Sequence, residues 1–357
     1  MQFYKGMDVS MLKELEEHGA RYAMDGEYQD IFHILKKCGV NLIRLRIWNN
    51  PYDEKGQAYG GGTNDLETTI MLAKRIVKND IGFMLDFHYS DFWTDPSKQI
   101  KPKAWEELSF EQLRKQVYDY TKNILDELKK EEIHPEIVQV GNEITKGFLW
   151  PDGHIDNVEG MALLLEAGIN AVKDFDKNIK VLLHLDYGTD NAMYRDWFSK
   201  IKKYQLDFDM IGMSYYPYWN GSLEELLYNM NDIGNAFDKD IVVAETAMGY
   251  TTSHLDCNGM IFAEELEKAS GYCATEEGQY LFLKDLSNTI RKVDNQRGKG
   301  FIYWEATWLP IKECTWANKR GCEYIQDKGE IGNSWANQAL FDCKGEANYA
   351  LREMRNI

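Results

Sequence analysis

"VQVGNEIT", residues 138–145, is an apolar run that stops on a carboxylate. Its alternating valines suit a buried strand, and Asn142 and Glu143 crowd the C-terminal end with no charged neighbour beside them. Taken alone, Glu143 is most simply a loop carboxylate facing water. The surrounding pattern says more, because the same form recurs along the chain: a short apolar run, then polar or aromatic residues, then a longer stretch with helical period.

The runs are KGMDVS (5–10), LIRLRIW (42–48), GFMLDFH (82–88), IVQVGNE (137–143), VLLHLD (181–186), MIGMSYY (210–216), IVVAETA (241–247) and GFIYWEA (300–306). Helical period fills the gaps at about 28–38, 65–79, 110–130, 157–174, 191–204, 222–233 and 276–293. Over 110–130, Leu113, Val117, Tyr120, Ile124 and Leu128 keep one face apolar, and SFEQ (109–112) and SLEE (222–225) have the form of capping boxes. No repeat, low-complexity segment or composition break divides the chain. Strands alternating with helices over one undivided chain predict an α/β fold, a (β/α)8 TIM barrel forming a single domain over residues 1–357. A doubly wound open sheet is the competing architecture, but it has fewer parallel strands and a glycine-rich first turn. The glycine-rich YGGGTND (59–65) is followed by no Lys-Ser or Lys-Thr, so it reads as a flexible loop and not a phosphate cradle.

Composition narrows the function. With 44% hydrophobic and 13% aromatic residues, the 357-residue chain can bury a large core. Its 41 Lys and Arg against 58 Asp and Glu leave a formal charge of −17, a field that repels nucleic acid and anionic membranes but is indifferent to a neutral sugar. No apolar run approaches the roughly 18 residues needed to cross a bilayer. MQFYKGMDVS lacks the layout of a signal peptide, so the expectation is a cytoplasmic protein or a secreted one numbered without its leader. The six cysteines form no CxxC pair; Cys314 and Cys322 are spaced to bridge a loop, with free thiols the equal alternative. The chain is expected to act as a monomer.

In a barrel of this kind the working residues collect at the C-terminal ends of the strands. The second run ends in Arg46 and Trp48, the third in Asp86 and His88, the fourth in Asn142 and Glu143, and the fifth in His184 and Asp186. The sixth runs into SYYPYW (214–219), the seventh delivers Glu245, and the eighth Trp304 and Glu305. Glu143 and Glu245 end uninterrupted apolar runs on strands that face each other across the barrel mouth. Two carboxyls in one cleft suit glycoside hydrolysis, where one protonates the leaving oxygen and the other attacks or activates water. Trp48, Trp93, Trp150, Trp219, Trp304, Trp308 and Trp335 fall where sugar rings stack, though core packing claims part of that set. Arg46, His88 and Tyr215 are polar groups that can hold a nucleophile ionised, or ordinary hydrogen-bonding residues.

These residues carry a resemblance. VQVGNEITKGFLWPDG (138–153), LDFHYSDFWTDPSKQ (85–99), RLRIWNNPYD (44–53), IGMSYYPYW (211–219), VVAETAMGYT (242–251) and NQALFD (337–342) resemble glycoside hydrolase family 53, the arabinogalactan endo-β-1,4-galactanases of clan A, from about residue 3 to about residue 350. The resemblance implies a (β/α)8 barrel and retaining double displacement on β-1,4-galactan or galacto-oligosaccharides. It makes Glu143 the acid/base and Glu245 the nucleophile, with Asn142 on the sugar 2-hydroxyl. It further implies that Arg46 and Tyr215 support Glu245, with Tyr216 competing for the second role by one residue of register, that Trp304 floors the subsite, and that His88, His184, Trp93 and Trp150 line the cleft. Catalysis is expected to need no cofactor. Bacterial relatives bind calcium just after the nucleophile strand. Here TTSHLDCNGMIF (251–262) alternates His254, Asp256 and Asn258 but lacks the run of acids, and calcium wants six or more oxygens, so a structural calcium on Asp256 and Asn258 is an alternative that the sequence does not strongly indicate. Two alternatives stand beside galactan cleavage: another β-1,4-linked polysaccharide (mannan, xylan or glucan) as substrate, or a barrel that binds carbohydrate without cutting it.

Overall fold

The computed structural model describes residues 3–255 and 257–357. Eight parallel strands close a barrel: β1 Tyr4–Asp8, β2 Leu42–Ile47, β3 Gly82–Phe87, β4 Ile137–Val140, β5 Lys180–Leu185, β6 Met210–Ser214, β7 Asp240–Thr246 and β8 Gly298–Tyr303. Each strand pairs with its neighbours in chain order, and β8 returns to β1. The chief helices between them are α1 Ile31–Cys38, α2 Leu66–Lys78, α3 Phe110–Lys130, α4 Val158–Phe175, α5 Asn191–Ile201, α6 Leu223–Phe237 and α7 Glu276–Arg291. Both expected capping boxes form, at Ser109 with Gln112 and at Ser222 with Glu225, and satisfy backbone donors that the first helical turn would otherwise leave open. Short hairpins at 23–28 and 147–154 and a short helix at Lys319–Ile325 were not anticipated; two-residue strands and a seven-residue helix give too little periodicity to detect.

The two-residue period of the strands sorts their side chains. Ile43, Leu45, Phe83, Leu85, Val138, Leu183, Ile211 and Val243 face outward into the main core shared with the helices. The intervening residues face inward. At the bottom of the barrel these are apolar, and Leu42, Met84, Ile137, Leu182, Met210, Val242 and Ile302 pack as one layer with Tyr4 against it. Two residues further along β2 to β5 the inward positions turn polar: Arg44, Asp86, Gln139 and His184. The dry lower layer thus supports a charged upper one, and the site is built on that boundary.

Two irregularities shape the mouth. In β7, Met213 pairs with Val243 but Ser214 with Glu245, and on the other side Val243 pairs with Phe301 and Thr246 with Tyr303. One extra residue is therefore accommodated in β7 beside Glu245, a bulge that re-aims the side chain next to it. In β8 the bulge is at Lys299–Gly300, between the pairs Ile241 with Gly298 and Val243 with Phe301. Gly300 has φ 135°, and a Cβ there would stand 2.1 Å from the Tyr4 carbonyl oxygen on β1, so the seam that closes the barrel requires glycine. Cys314 and Cys322 are both free thiols, so their spacing does not produce a bridge.

Candidate active site

The chain after β4 turns sharply through Gly141, with φ 85°, and Glu143, with φ 47° and ψ 53°. Left-handed backbone at a non-glycine residue is a local cost retained where the surrounding structure fixes it. The turn leaves Asn142 buried and aims Glu143, half-buried, into an open cleft of about 970 Å³ at the C-terminal mouth of the barrel. Glu245 borders the same cleft from β7. Trp93, Trp304, Trp219, Trp335, Trp308 and Trp316 supply its aromatic surface.

The two carboxyls have different surroundings. Glu245 Oε1 accepts from Arg44 Nη1 at 2.8 Å and Oε2 from the Tyr216 hydroxyl at 3.1 Å. Glu143 Oε1 lies 2.6 Å from the Ser214 hydroxyl, a neutral partner. Desolvation pushes Glu143 well above the usual carboxylate range, and the charges of Glu245 and Asp186 add to it. Burial raises Glu245 too, but Arg44 opposes that rise with both its charge and its hydrogen bond. Glu143 is thus the last of the pair to ionise.

Arg44 organises the floor. Its Nη2 donates to Asp86 Oδ2 at 2.6 Å and to Asn142 Oδ1 at 2.9 Å, while Nη1 serves Glu245. Complete burial works against its charge, but Asp86, Glu245 and Asp8 outweigh that and raise its pKa. Asn142 Nδ2 donates to Thr94 O at 3.0 Å, so both ends of the amide are held.

Several expectations need correction. Arg46 does not reach Glu245: it pairs with Glu305 Oε1 at 2.5 Å and Asp8 Oδ1 at 3.3 Å, and its guanidinium lies 4.2 Å from the Trp93 ring centroid and 5.0 Å from that of Trp304. Arg44 and Arg46 both point inward, two residues apart, and the deeper one serves Glu245. Tyr215 faces outward, its hydroxyl donating to Gly221 O at 2.9 Å, because Ser214 points inward and the period puts Tyr216 on the cleft side. His88 and His184 lie beneath the floor and do not line the cleft: His88 Nδ1 is 2.9 Å from Thr94 Oγ1, and His184 sits between Ser214 and Asn142. Trp150 does not border the cleft either; its indole donates to Lys146 O and its ring packs on His154. Trp48 is buried beneath, against Phe92. Trp93 and Trp304 stand where expected.

Arg44 and Ser214 were legible from strand alternation, since each lies an even step from an inward residue. Trp316 carried no such signal, because the long irregular segment after β8 has no period. Of the calcium candidates, Asp256 falls outside the described residues, and the Asn258 carbonyl accepts from Asn333 N. Among the described residues no group of three His, Cys, Asp or Glu side chains converges to hold a metal.

The family model for glycosyl hydrolase family 53 matches residues 4–354. An endo-β-1,4-galactanase of Bacillus subtilis (strain 168) is 38% identical over 96% of this chain and 83% of its own length. An arabinogalactan endo-β-1,4-galactanase of Cellvibrio japonicus (strain Ueda107) is 33% identical over 97% of this chain and 88% of its own. Among solved structures, the family 53 catalytic domain of Ignisphaera aggregans superposes with TM-score 0.91 at 39% identity, covering 99% of this chain and 96% of that one. Family 10 xylanases superpose at about 0.6 with 13% identity, which is a likeness of fold alone.

Proposed function

The chain belongs to glycosyl hydrolase family 53, and from that premise we propose that it is an endo-β-1,4-galactanase in which Glu143 is the acid/base and Glu245 the nucleophile. The observation that carries the assignment of roles is the unequal environment of two carboxyls on one cleft: Arg44 and Tyr216 on Glu245, a lone neutral hydroxyl on Glu143. A nucleophile must be ionised, and an acid must keep its proton until the leaving oxygen needs it.

The mechanism is a retaining double displacement. Glu245 attacks the anomeric carbon while Glu143 protonates the departing galactosyl oxygen. Asn142, fixed by Arg44 and Thr94, meets the 2-hydroxyl of the sugar at the cleavage point. With Glu245 esterified, its charge is gone and Glu143 draws a proton from water, whose oxygen then displaces Glu245 from the sugar. Trp304 and Trp93 offer their ring faces to the apolar faces of galactose. Every step uses this chain's own side chains, and we propose no cofactor.

The substrate is β-1,4-galactan or its oligosaccharides, acted on by a monomer with no nucleic-acid or membrane partner. No helix among the described residues is long and apolar enough to cross a membrane. A secreted enzyme would meet the polymer and a cytoplasmic one imported oligosaccharides; fractionation of the producing cells distinguishes the two. The deciding experiment is chromatography of products from soluble β-1,4-galactan, mannan, xylan and glucan. Short galacto-oligosaccharides from galactan alone are expected. Cleavage of another polymer in its place would reassign the substrate, and galactan bound but uncut would favour a carbohydrate-binding barrel.

A further inference from the structure

Beneath Glu143 runs a chain of short contacts that the displacement mechanism does not use. Glu143 Oε1 is 2.6 Å from Ser214 Oγ, Ser214 Oγ is 2.9 Å from His184 Nε2, and His184 Nδ1 is 3.0 Å from Asn142 Oδ1. Each link needs one hydrogen, and counting hydrogens decides where they lie. Asn142 Oδ1 is an acceptor, because Arg44 donates to it and the amide nitrogen lies on the other side, donating to Thr94 O. Gln139 Nε2 has two hydrogens for three neighbours, His184 Nδ1 at 3.1 Å and Gly141 O and Asn142 Oδ1 each at 3.2 Å; with both hydrogens on the oxygens, none is left for the histidine. The hydrogen between His184 Nδ1 and Asn142 therefore belongs to the histidine.

Burial, with the Arg44 guanidinium close by, holds His184 neutral, its pKa well below the ordinary histidine value. A neutral ring protonated at Nδ1 has only a lone pair at Nε2, so the Ser214 hydroxyl donates to His184. Ser214 has one hydrogen. It can then offer Glu143 only a lone pair, and the hydrogen of that link must come from the Glu143 carboxyl. We propose that His184, acting through Ser214, is a positioning residue that keeps Glu143 in its acid form between turnovers. The inference rests on the reading of Glu143 as the acid/base.

The chain also bears on the second half of the reaction. After Glu143 has given its proton to the leaving oxygen, the carboxylate faces the lone pairs of Ser214. If the Ser214 hydrogen swings to Glu143, the lone pair of His184 Nε2 is left without a partner. One hydrogen bond is lost in either case. It is regained when the attacking water breaks its O–H bond, returns the proton to Glu143 and bonds its oxygen to the anomeric carbon as the ester to Glu245 breaks. The other ionisable groups facing Glu143 are Glu245 on β7, Asp186 after β5 and Asp95 after β3, and their charges also favour the acid. Arg44 on β2, Asp86 on β3 and His88 just after β3 face His184.

The sign of one shift tests this. If Ser214 accepts from Glu143, Ser214→Ala weakens the acid form, and the alkaline limb of kcat/KM on galactan moves to lower pH by roughly half to one unit. Ser214→Thr, which keeps the hydroxyl, restores it. A limb that moves to higher pH would mean that Ser214 donates to a carboxylate, and that result or an unmoved limb overturns the inference. Nitrogen NMR of the histidine rings in the unmodified enzyme, with His184→Asn to identify the signal, is expected to show Nδ1 protonated and Nε2 bare near pH 6. A proton on Nε2 overturns it. An unmodified enzyme that cuts no galactan removes the premise as well, whereas an active enzyme with an unmoved limb removes this inference alone.

Discussion

At the scale of single residues, the difference between Glu143 and Glu245 lies in who donates to them. Glu245→Gln keeps the size of the side chain and its contact with Tyr216 but cannot attack, so kcat on galactan is expected to fall by about a thousandfold or more, with oligosaccharide binding still measurable by calorimetry. Near-normal turnover would remove the nucleophile assignment. Glu143→Gln is expected to slow galactan cleavage by about two to four orders of magnitude. The same variant should form the glycosyl-enzyme at close to the normal rate from an aryl galactoside whose leaving group needs no proton, as read by the burst of released phenol. Equal losses on both substrates would contradict its role as acid. That the two glutamates border one cleft was legible because each ends an apolar run with no other carboxylate in it. The choice of Arg46 over Arg44, and of Tyr215 over Tyr216, was not. The residues of each pair lie one or two positions apart on the same strand or just beyond it, and only strand register and depth in the barrel separate them.

At the scale of elements, two bulges on neighbouring strands do different work. The β7 bulge aims Glu245, and the β8 bulge lets Gly300 press against Tyr4 where the barrel closes. Gly300→Ala puts a methyl group against a backbone carbonyl at a φ that alanine avoids, so a loss of more than about 2 kcal/mol is expected in urea denaturation. A change within about 0.5 kcal/mol would show that the seam can shift to make room. The strands themselves were readable to within three residues at their ends, because an outward apolar face and an inward face that changes from apolar to polar leave a period of two over half of their length. Bulges leave no such trace. An extra residue in a run of Val, Ala and Gly looks like one more strand residue, and only pairing reveals it.

At the scale of the whole molecule, the barrel mouth stores protons. Burial raises Glu305 to about 7 and Asp186 to about 6, whereas both release their protons near 4 in the unfolded chain. Between those values the folded state holds protons that the unfolded state has lost, so stability falls as pH rises through the window. His88 and His184 act in the opposite sense: both are held neutral when folded but take up protons below about 6.5 when unfolded, so stability also falls on the acid side. A maximum near pH 6 is expected in thermal unfolding. Glu305→Gln, which cannot ionise, should flatten the decline between pH 6 and 8; an unchanged slope would show that Glu305 titrates normally. The closed barrel was legible at this scale, since eight recurrences in an undivided chain leave few other topologies. The coupling of its buried charges was not, because it depends on distances across the barrel between residues as much as 297 positions apart, as between Asp8 and Glu305.

The meeting of Arg44 with Asp86, Glu245 and Asp8 has a consequence for inhibition. One guanidinium shared among three carboxylates leaves Glu245 only partly neutralised, so the place where positive charge develops on the sugar faces an unspent negative field. A galactose mimic with a protonated ring nitrogen should therefore outbind its uncharged counterpart, and competition assays should show that advantage shrinking as falling pH protonates Glu245.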